Sequence, residues 1–293
     1  MRLIVLTLLA LLAFAGNSIL NRWALLDNST GPITFSFVRV VSGATFLWII
    51  VAATNYKWRP KIQIFQAVSL AVYILCFSIA YLNLGIGIGA IVLFGGVQFT
   101  MFGLAALTSE KITVWRIIGA LISFTGLCVL FLPNEILILN ANAMWIMIAA
   151  AIGWGAYSFL GKNAKNPLLE TTQNLVWATP IVGIFFVFWH DGISFNGFIL
   201  AIISGAITSG LGYIIWYSVL PSLKTSLAAI LQLSVPIIAL KTSLAAILQL
   251  SVPIIAALAG VIFFSEAMTL ELILAIILVI IGTFVSLIQV REK

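Results

Sequence analysis

The stretch Ser109-Glu110-Lys111-Ile112-Thr113 returns, 156 positions later, as Ser265-Glu266-Ala267-Met268-Thr269. The same offset, without a gap, aligns Gly126 with Gly282 and Ala90-Ile91 with Ala246-Ile247. Similarity at one long, constant offset marks a chain built from two copies of a unit. Here it divides the sequence into residues 1–137 and 138–293.

Working outward from the marker shows what the unit is. Apolar runs of spanning length occur at Leu3–Leu26, Ile33–Thr54, Ile64–Leu82, Gly89–Leu107 and Val114–Leu132, then at Met144–Leu160, Thr171–Trp189, Phe195–Leu220, Thr242–Phe264 and Leu270–Gln289. A bilayer crossing takes about 20 residues of helix. Runs of this length are helices, because backbone facing lipid must satisfy its hydrogen bonds within the segment. The composition agrees: 63% of the 293 residues are hydrophobic and 8% are charged, where a soluble domain carries roughly 25% charged residues. The expected fold is therefore all-α and polytopic, ten transmembrane helices in two five-helix repeats. Five is odd, so the second repeat enters from the opposite side of the bilayer, and the repeats are inverted. Proteins built in this way carry solutes at a site near the midplane, between the halves.

Charge fixes the orientation. With the N-terminus in the cytoplasm, Arg2, Lys57, Arg59, Lys61, Lys111, Arg116, Lys162, Lys165, Lys224, Arg291 and Lys293 all fall inside, which leaves only Arg22, Arg39 and Lys241. Both termini are then cytoplasmic. The net charge of +6 is scattered through short loops and forms no stripe for a nucleic-acid backbone. Cys76, Cys128 and His190 are too few and too dispersed for a disulfide framework or metal cluster, and no cofactor is implied. The opening residues, through Ala13-Phe14-Ala15-Gly16, have the look of a secretory signal with its cleavage site, but the apolar run continues to Leu26, and the segment is expected to be retained as the first span.

A second repeat is of another kind. Leu223–Ala239 and Leu240–Ala256 are identical over 17 residues. Were both copies to span, every later segment would be reversed. The second copy keeps the offset of 156, so the ninth span is expected at Thr242–Phe264 and roughly Leu223–Lys241 as an inserted interfacial or re-entrant segment.

Polar groups inside spans are costly and mark either helix contacts or a solute path. Arg39 lies seven residues into the second span, about 10 Å below its end. It suits a substrate carboxylate, or equally an anchor on backbone carbonyls. Arg22, near a span end, reads as a snorkelling side chain. Asn17, Asn21, Gln98, Asn174 and Gln249 (or its copy Gln232) are candidates for solute contact or interhelical bonds. Trp154, Tyr157, Trp177, Tyr213, Trp216 and Tyr217 suit the walls of a small-molecule cavity. Glu110 and Glu266 occupy corresponding positions of inverted halves, hence opposite faces. They are helix-end or gate residues rather than a catalytic pair. Gly85-Ile86-Gly87-Ile88-Gly89 follows no strand and reads as a tight turn between helices. No Asp or Glu falls in the middle of a span, so transport is expected to be facilitated or coupled through helix-end groups.

Taken together, the ten spans in two halves, Trp154-Gly155 with Lys162, Phe35 with Arg39, the paired SE-x-[IM]-T turns, and Pro221 followed by Ala-Ala-Ile-Leu-Gln-Leu-Ser-Val-Pro resemble the EamA family of the drug/metabolite transporter superfamily. That resemblance covers nearly the whole chain. It implies a bacterial inner-membrane protein, monomeric or homodimeric, that exports small metabolites such as amino acids by alternating access. It also implies a cavity that includes Asn17, Tyr81, Gln98, Trp154, Tyr157, Tyr213 and Gln249, with the fifth and tenth helices peripheral. The 17-residue copy departs from the family pattern, as does Ala15-Gly16 where a Trp-Gly opening would stand. Nucleotide-sugar or nucleoside carriage is the second reading within the superfamily. An integral-membrane enzyme is disfavoured because no reactive cluster lies near an interface.

Overall fold

A computed structural model describes residues 2–26, 29–54, 61–108, 113–130, 140–223, 225 and 270–286. Among them there is helix and turn and no strand. The helices are α1 (Arg2–Leu25), α2 (Pro32–Ala53), α3 (Ile64–Ala80), α4 (Ile86–Ala106), α5 (Val114–Leu130), α6 (Ala141–Gly161), α7 (Pro167–Trp189), α8 (Phe195–Ile203), α9 (Gly212–Val219) and α10 (Leu270–Ser286). Between α8 and α9 the chain stays helical but widens into a π-helix at Ser204–Leu211. Among the described residues, five helical segments are long and apolar enough to cross a membrane: Val5–Leu25, α2, α6, α7 and the continuous Phe195–Ser222. The expected ninth span, Lys241, Gln249, Glu110 and Glu266 lie outside the described residues.

Local sequence explains where the helices begin. Pro32 and Pro167 occupy first-turn positions of α2 and α7, where the missing N–H costs nothing. Asn140 accepts from Ala143 N at 3.0 Å, Asn166 from Leu169 N at 3.1 Å and Ser194 from Gly197 N at 3.0 Å, side-chain caps that satisfy otherwise orphaned donors. The Glu170 carboxylate turns back onto Lys165 N at 2.7 Å. Asp191, in the α7–α8 loop, accepts from Ile33 N at 3.1 Å and Thr34 N at 2.9 Å and so caps α2 from across the fold.

Burial is inverted relative to a water-soluble protein. Phe65, Phe188 and Phe195 are 75%, 70% and 79% exposed, while Asn17, Asn21, Arg39, Gln98 and Asn174 are fully buried. Water as the surrounding solvent would disfavour both sets. Lipid outside and a polar seam inside favour both, and the chain is a multi-pass membrane protein. Small residues permit the close approach that packing without a hydrophobic drive requires. A Cβ on Gly153 would stand 2.7 Å from Ser69 O on α3, and one on Gly155 2.7 Å from Thr100 on α4. These glycines seat α6 against α3 and α4, its principal neighbours. Helix α2 packs on α7 and the π segment, α1 on α8, the π segment and α9, and α5 chiefly on α10.

Candidate solute-binding site

The polar seam is organised around the π segment, Ser204-Gly-Ala-Ile-Thr-Ser-Gly-Leu211. Its glycines let α2 come so near that a Cβ on Gly205 would collide with Arg39 O and Ser42 Oγ, and one on Gly43 would lie 2.8 Å from Gly205 O. The wider turn brings three hydroxyls to face α1 and α2. Ser204 Oγ and Thr208 Oγ1 donate to Asn17 Oδ1 at 2.7 and 3.1 Å. Asn17 Nδ2 in turn donates to Tyr73 Oη of α3 at 3.0 Å. Irregular helical turns of this sort are frequent at functional sites.

Arg39 is the centre of the arrangement and is 0% exposed. Its Nε donates to Ser209 Oγ at 2.9 Å and its Nη2 to Tyr213 Oη at 2.8 Å. The guanidinium carbon lies 5.6 Å from the Tyr73 ring centroid and 5.5 Å from that of Phe77, within cation–π range. Nη1 has no hydrogen-bond partner. Among the described side chains, the carboxylates of Glu170 and Asp191 are engaged at helix ends. Arg39 is therefore neither a carbonyl anchor nor, among the described residues, half of an ion pair. A buried cation held by hydroxyls and rings, with a donor to spare, is chemically suited to an anionic group.

Aromatic side chains enclose the same region. Trp154 lies 5.0 Å from Phe14 edge-on, 4.8 Å from Tyr73 and 4.8 Å from Tyr213. Tyr157 lies 5.4 Å from Trp154 and 6.1 Å from Tyr213. Trp216 Nε1 donates to Ser158 Oγ at 3.1 Å. The structure thus brings Asn17, Arg39, Trp154, Tyr157 and Tyr213 together. Tyr81 sits one ring further out, at the C-terminal cap of α3, 4.8 Å from Phe77. Gln98 is buried in α4 with both Oε1 and Nε2 unpartnered. Arg22 does not snorkel: its Nη1 donates to Tyr81 O at 2.8 Å and closes the end of α3. Asn21 Nδ2 donates to Ser78 Oγ at 2.8 Å.

Sequence reasoning passed over Tyr73, Ser204, Thr208 and Ser209. Tyr73 is a lone polar tip in an apolar run. The hydroxyls were legible only as Ser-x3-Thr-Ser within a long span, a spacing that at 3.6 residues per turn puts Ser204 and Thr208 on one face and turns Ser209 away from them. Among the described residues, cavities lie on two sides of the seam. One of about 240 Å³ opens between α2 and α7 and is lined by Val41, Ala44, Thr45, Trp48, Val176 and Thr179. A polar one of about 570 Å³ lies where α6 ends and α7 begins, with Lys61, Asn163, Lys165, Glu170 and Gln173 in its wall.

Comparison with known proteins places this geometry. No family model matches the chain. An uncharacterized protein of Pseudomonas aeruginosa is 36% identical over 241 residues, covering 81% of this chain and 84% of that protein. The chain belongs to that protein's family. At lower identity, an uncharacterized transporter of Archaeoglobus fulgidus is 25% identical over 266 residues, covering 87% of this chain and 88% of the relative. A solved crystal structure, 15% identical in sequence, matches with a TM-score of 0.68 over 97% of this chain and 98% of its own, which shows a shared fold.

Proposed function

We propose that the chain is a membrane transporter of small metabolites such as amino acids, of the EamA type, in which two oppositely inserted five-helix halves rock about the Arg39 site. The observation that carries this reading is the buried guanidinium, which lies between α2 and the π segment with a free donor and no carboxylate among its described partners. A site of that kind attracts a solute's carboxylate or other anionic group and positions it within an aromatic enclosure. The name of the Archaeoglobus relative supports carriage, and the resemblance drawn from the SE-x-[IM]-T turns and the Trp154-Gly155 opening supports the superfamily. The distribution of Lys and Arg supports cytoplasmic termini, and bacterial inner membrane and outward transport follow from the resemblance.

The test is flux. Purified protein in proteoliposomes is given amino acids, their amide analogues, which keep the ammonium and lack the carboxylate, nucleosides and nucleotide sugars, with and without a pH gradient. The reading requires saturable flux of at least one anionic or zwitterionic solute and loss of that flux in its amide analogue. Flux of nucleotide sugars alone would transfer the site to the other branch of the superfamily. Failure of every solute in both directions would refute transport. Thermal stabilisation by the same panel is a preliminary screen, since a ligand at 100 times its Kd adds about 2.7 kcal/mol to apparent stability.

A further inference from the structure

A second polar cluster lies between the Arg39 site and the cavity at the α6–α7 end. Tyr157, Thr171, Asn174 and Tyr217 are all fully buried. Asn174 Nδ2 donates to Tyr217 Oη at 3.4 Å, and Tyr217 Oη donates to Tyr157 O at 3.2 Å. Three oxygens of the cluster, Tyr157 Oη, Thr171 Oγ1 and Asn174 Oδ1, make no hydrogen bond of ordinary geometry, although the Tyr157 hydroxyl faces Tyr217, Asn174 and Thr171. Each such buried group costs about 1–3 kcal/mol, and three in one cluster, one on α6 and two on α7, is a large outlay for side chains that do nothing more than pack. The cluster is continuous with both neighbours. Towards the centre, the Tyr157 ring is 6.1 Å from that of Tyr213, whose hydroxyl holds Arg39. Towards the surface, Glu170 and Gln173, adjacent in sequence to Thr171 and Asn174, line the 570 Å³ cavity. The Tyr217 ring spans this boundary. It packs 4.8 Å from Tyr157 and lies over Gly161, the last residue of α6, where a Cβ would collide with the ring.

We propose that the Arg39 site is entered from the α6–α7 end through the gap that Tyr217 closes, and that Tyr157, Thr171 and Asn174 form a hydrogen-bonding subsite on that route for the donor groups of a small polar solute. This deepens the transport reading and rests on it for the word solute. The geometry of entry is testable without any substrate. Mixed charge in the cavity wall, Lys61 and Lys165 beside Glu170, suits admission of zwitterions. The subsite offers acceptors where Arg39 offers a donor, so together they suit a molecule with an acidic group and an ammonium or amide group.

The experiment is side-specific labelling in membrane vesicles of both orientations. With Cys76 and Cys128 replaced by Ser, Ser209→Cys reports on the Arg39 site and Asn163→Cys, in a separate chain, reports on the cavity. The probe is methanethiosulfonate ethylsulfonate, a small impermeant anion. Expected results are rapid labelling of Asn163→Cys from one face, slow labelling of Ser209→Cys, and a rise of at least fivefold in the latter, from the face that labels Asn163→Cys, when Tyr217→Ala is added. Thr171→Val in that background, isosteric but without the hydroxyl, should slow labelling by 2-aminoethyl methanethiosulfonate, whose ammonium group donates, severalfold, and leave labelling by the sulfonate unchanged. Should Tyr217→Ala fail to give a monodisperse protein, Tyr217→Phe removes only the hydroxyl and should raise labelling at least twofold. No rise with either variant, or a rise from the opposite face, overturns the route. No effect of Thr171→Val overturns the subsite. Correct labelling with no flux of any panel solute would refute transport and leave the route standing.

Discussion

Replacing Arg39 by Met separates a solute-holding guanidinium from a structural one. The substitution removes two hydrogen bonds to a charged donor, at 2.9 and 2.8 Å, each worth about 1.5–3 kcal/mol, and two cation–π contacts at 5.6 and 5.5 Å, each about 0.5–2 kcal/mol. It also removes the cost of holding an unneutralised charge in a dry interior, several kcal/mol per ion. The two sums are of similar size, and Met fills the volume among Tyr73, Phe77 and Tyr213 with a flexible apolar chain. Thermal stability should therefore change little or rise. Flux should behave differently, because a buried charged pair with one partner removed loses about 3–5 kcal/mol, or about two to four orders of magnitude in the affinity of an anionic solute at 1.36 kcal/mol per tenfold. The assay pairs the unfolding midpoint of purified protein with proteoliposome flux of the best panel solute and its amide analogue. The wild type should prefer the acid and the variant should lose that preference. A variant that unfolds 10 °C or more below wild type yet carries the acid at an undiminished rate per folded molecule would show Arg39 to be a strut, and the reasoning would fail.

Four further outcomes follow from the packing. Gly205→Ala must push apart α2 and the π segment, since the new Cβ meets backbone at Arg39; overpacking of that kind costs about 1–3 kcal/mol and should lower the unfolding midpoint by several degrees, whereas Gly103→Ala, with nothing within 4 Å, should leave it unchanged or slightly raised. Asn17→Ala breaks bonds to Tyr73, Ser204 and Thr208 and should destabilise by at least 2 kcal/mol at ~1 kcal/mol per bond, read as a lower midpoint. Gln98→Leu removes two unpartnered polar atoms and should raise the midpoint while altering solute affinity in the panel screen. Gly192→Ala should cost about 1–2 kcal/mol, because Gly192 holds a φ of 79° in the turn that aims Asp191 at α2; loss of protection at the Ile33 and Thr34 amides in hydrogen exchange reads this directly.

The helices were legible because a bilayer imposes one rule on every spanning segment, and apolar runs between Gly31-Pro32, Asn166-Pro167 and similar punctuation state that rule openly. Depth along a helix was legible too, which is why Arg39 stood out. Partners were not. Whether Arg39 meets backbone carbonyls or the hydroxyls of Ser209 and Tyr213 depends on the widening at Ser204–Leu211, and a π turn leaves no periodicity in a run that is apolar on every side. Arg22 shows the same limit. Its position near a span end predicts a head group reaching for water, but Tyr81 O and Leu82 O are nearer, at 2.8 and 3.3 Å, because α3 ends alongside it.

Polar residues in a membrane interior look alike in sequence, and hydrogen-bond inventory is what sorts them. Asn17 spends three of its bonding positions on α3 and the π segment, and turning to a solute would cost it bonds already made. Arg39 spends two nitrogens on hydroxyls and keeps Nη1 idle, so it can gain a partner without losing one. Gln98 keeps both ends idle. A scaffold role gives no reason to retain unpartnered polar atoms where Leu would pack as well and cost less. The idle atoms are thus the ones for which a visiting partner is the simplest physical account. Among the described residues they occur at Arg39, at the Tyr157–Asn174 cluster and at Gln98, and also at Ser18, Asn21, Arg22, Gln63 and Trp177; what sets the first two places apart is that the aromatic enclosure, the π segment and the α6–α7 end meet there.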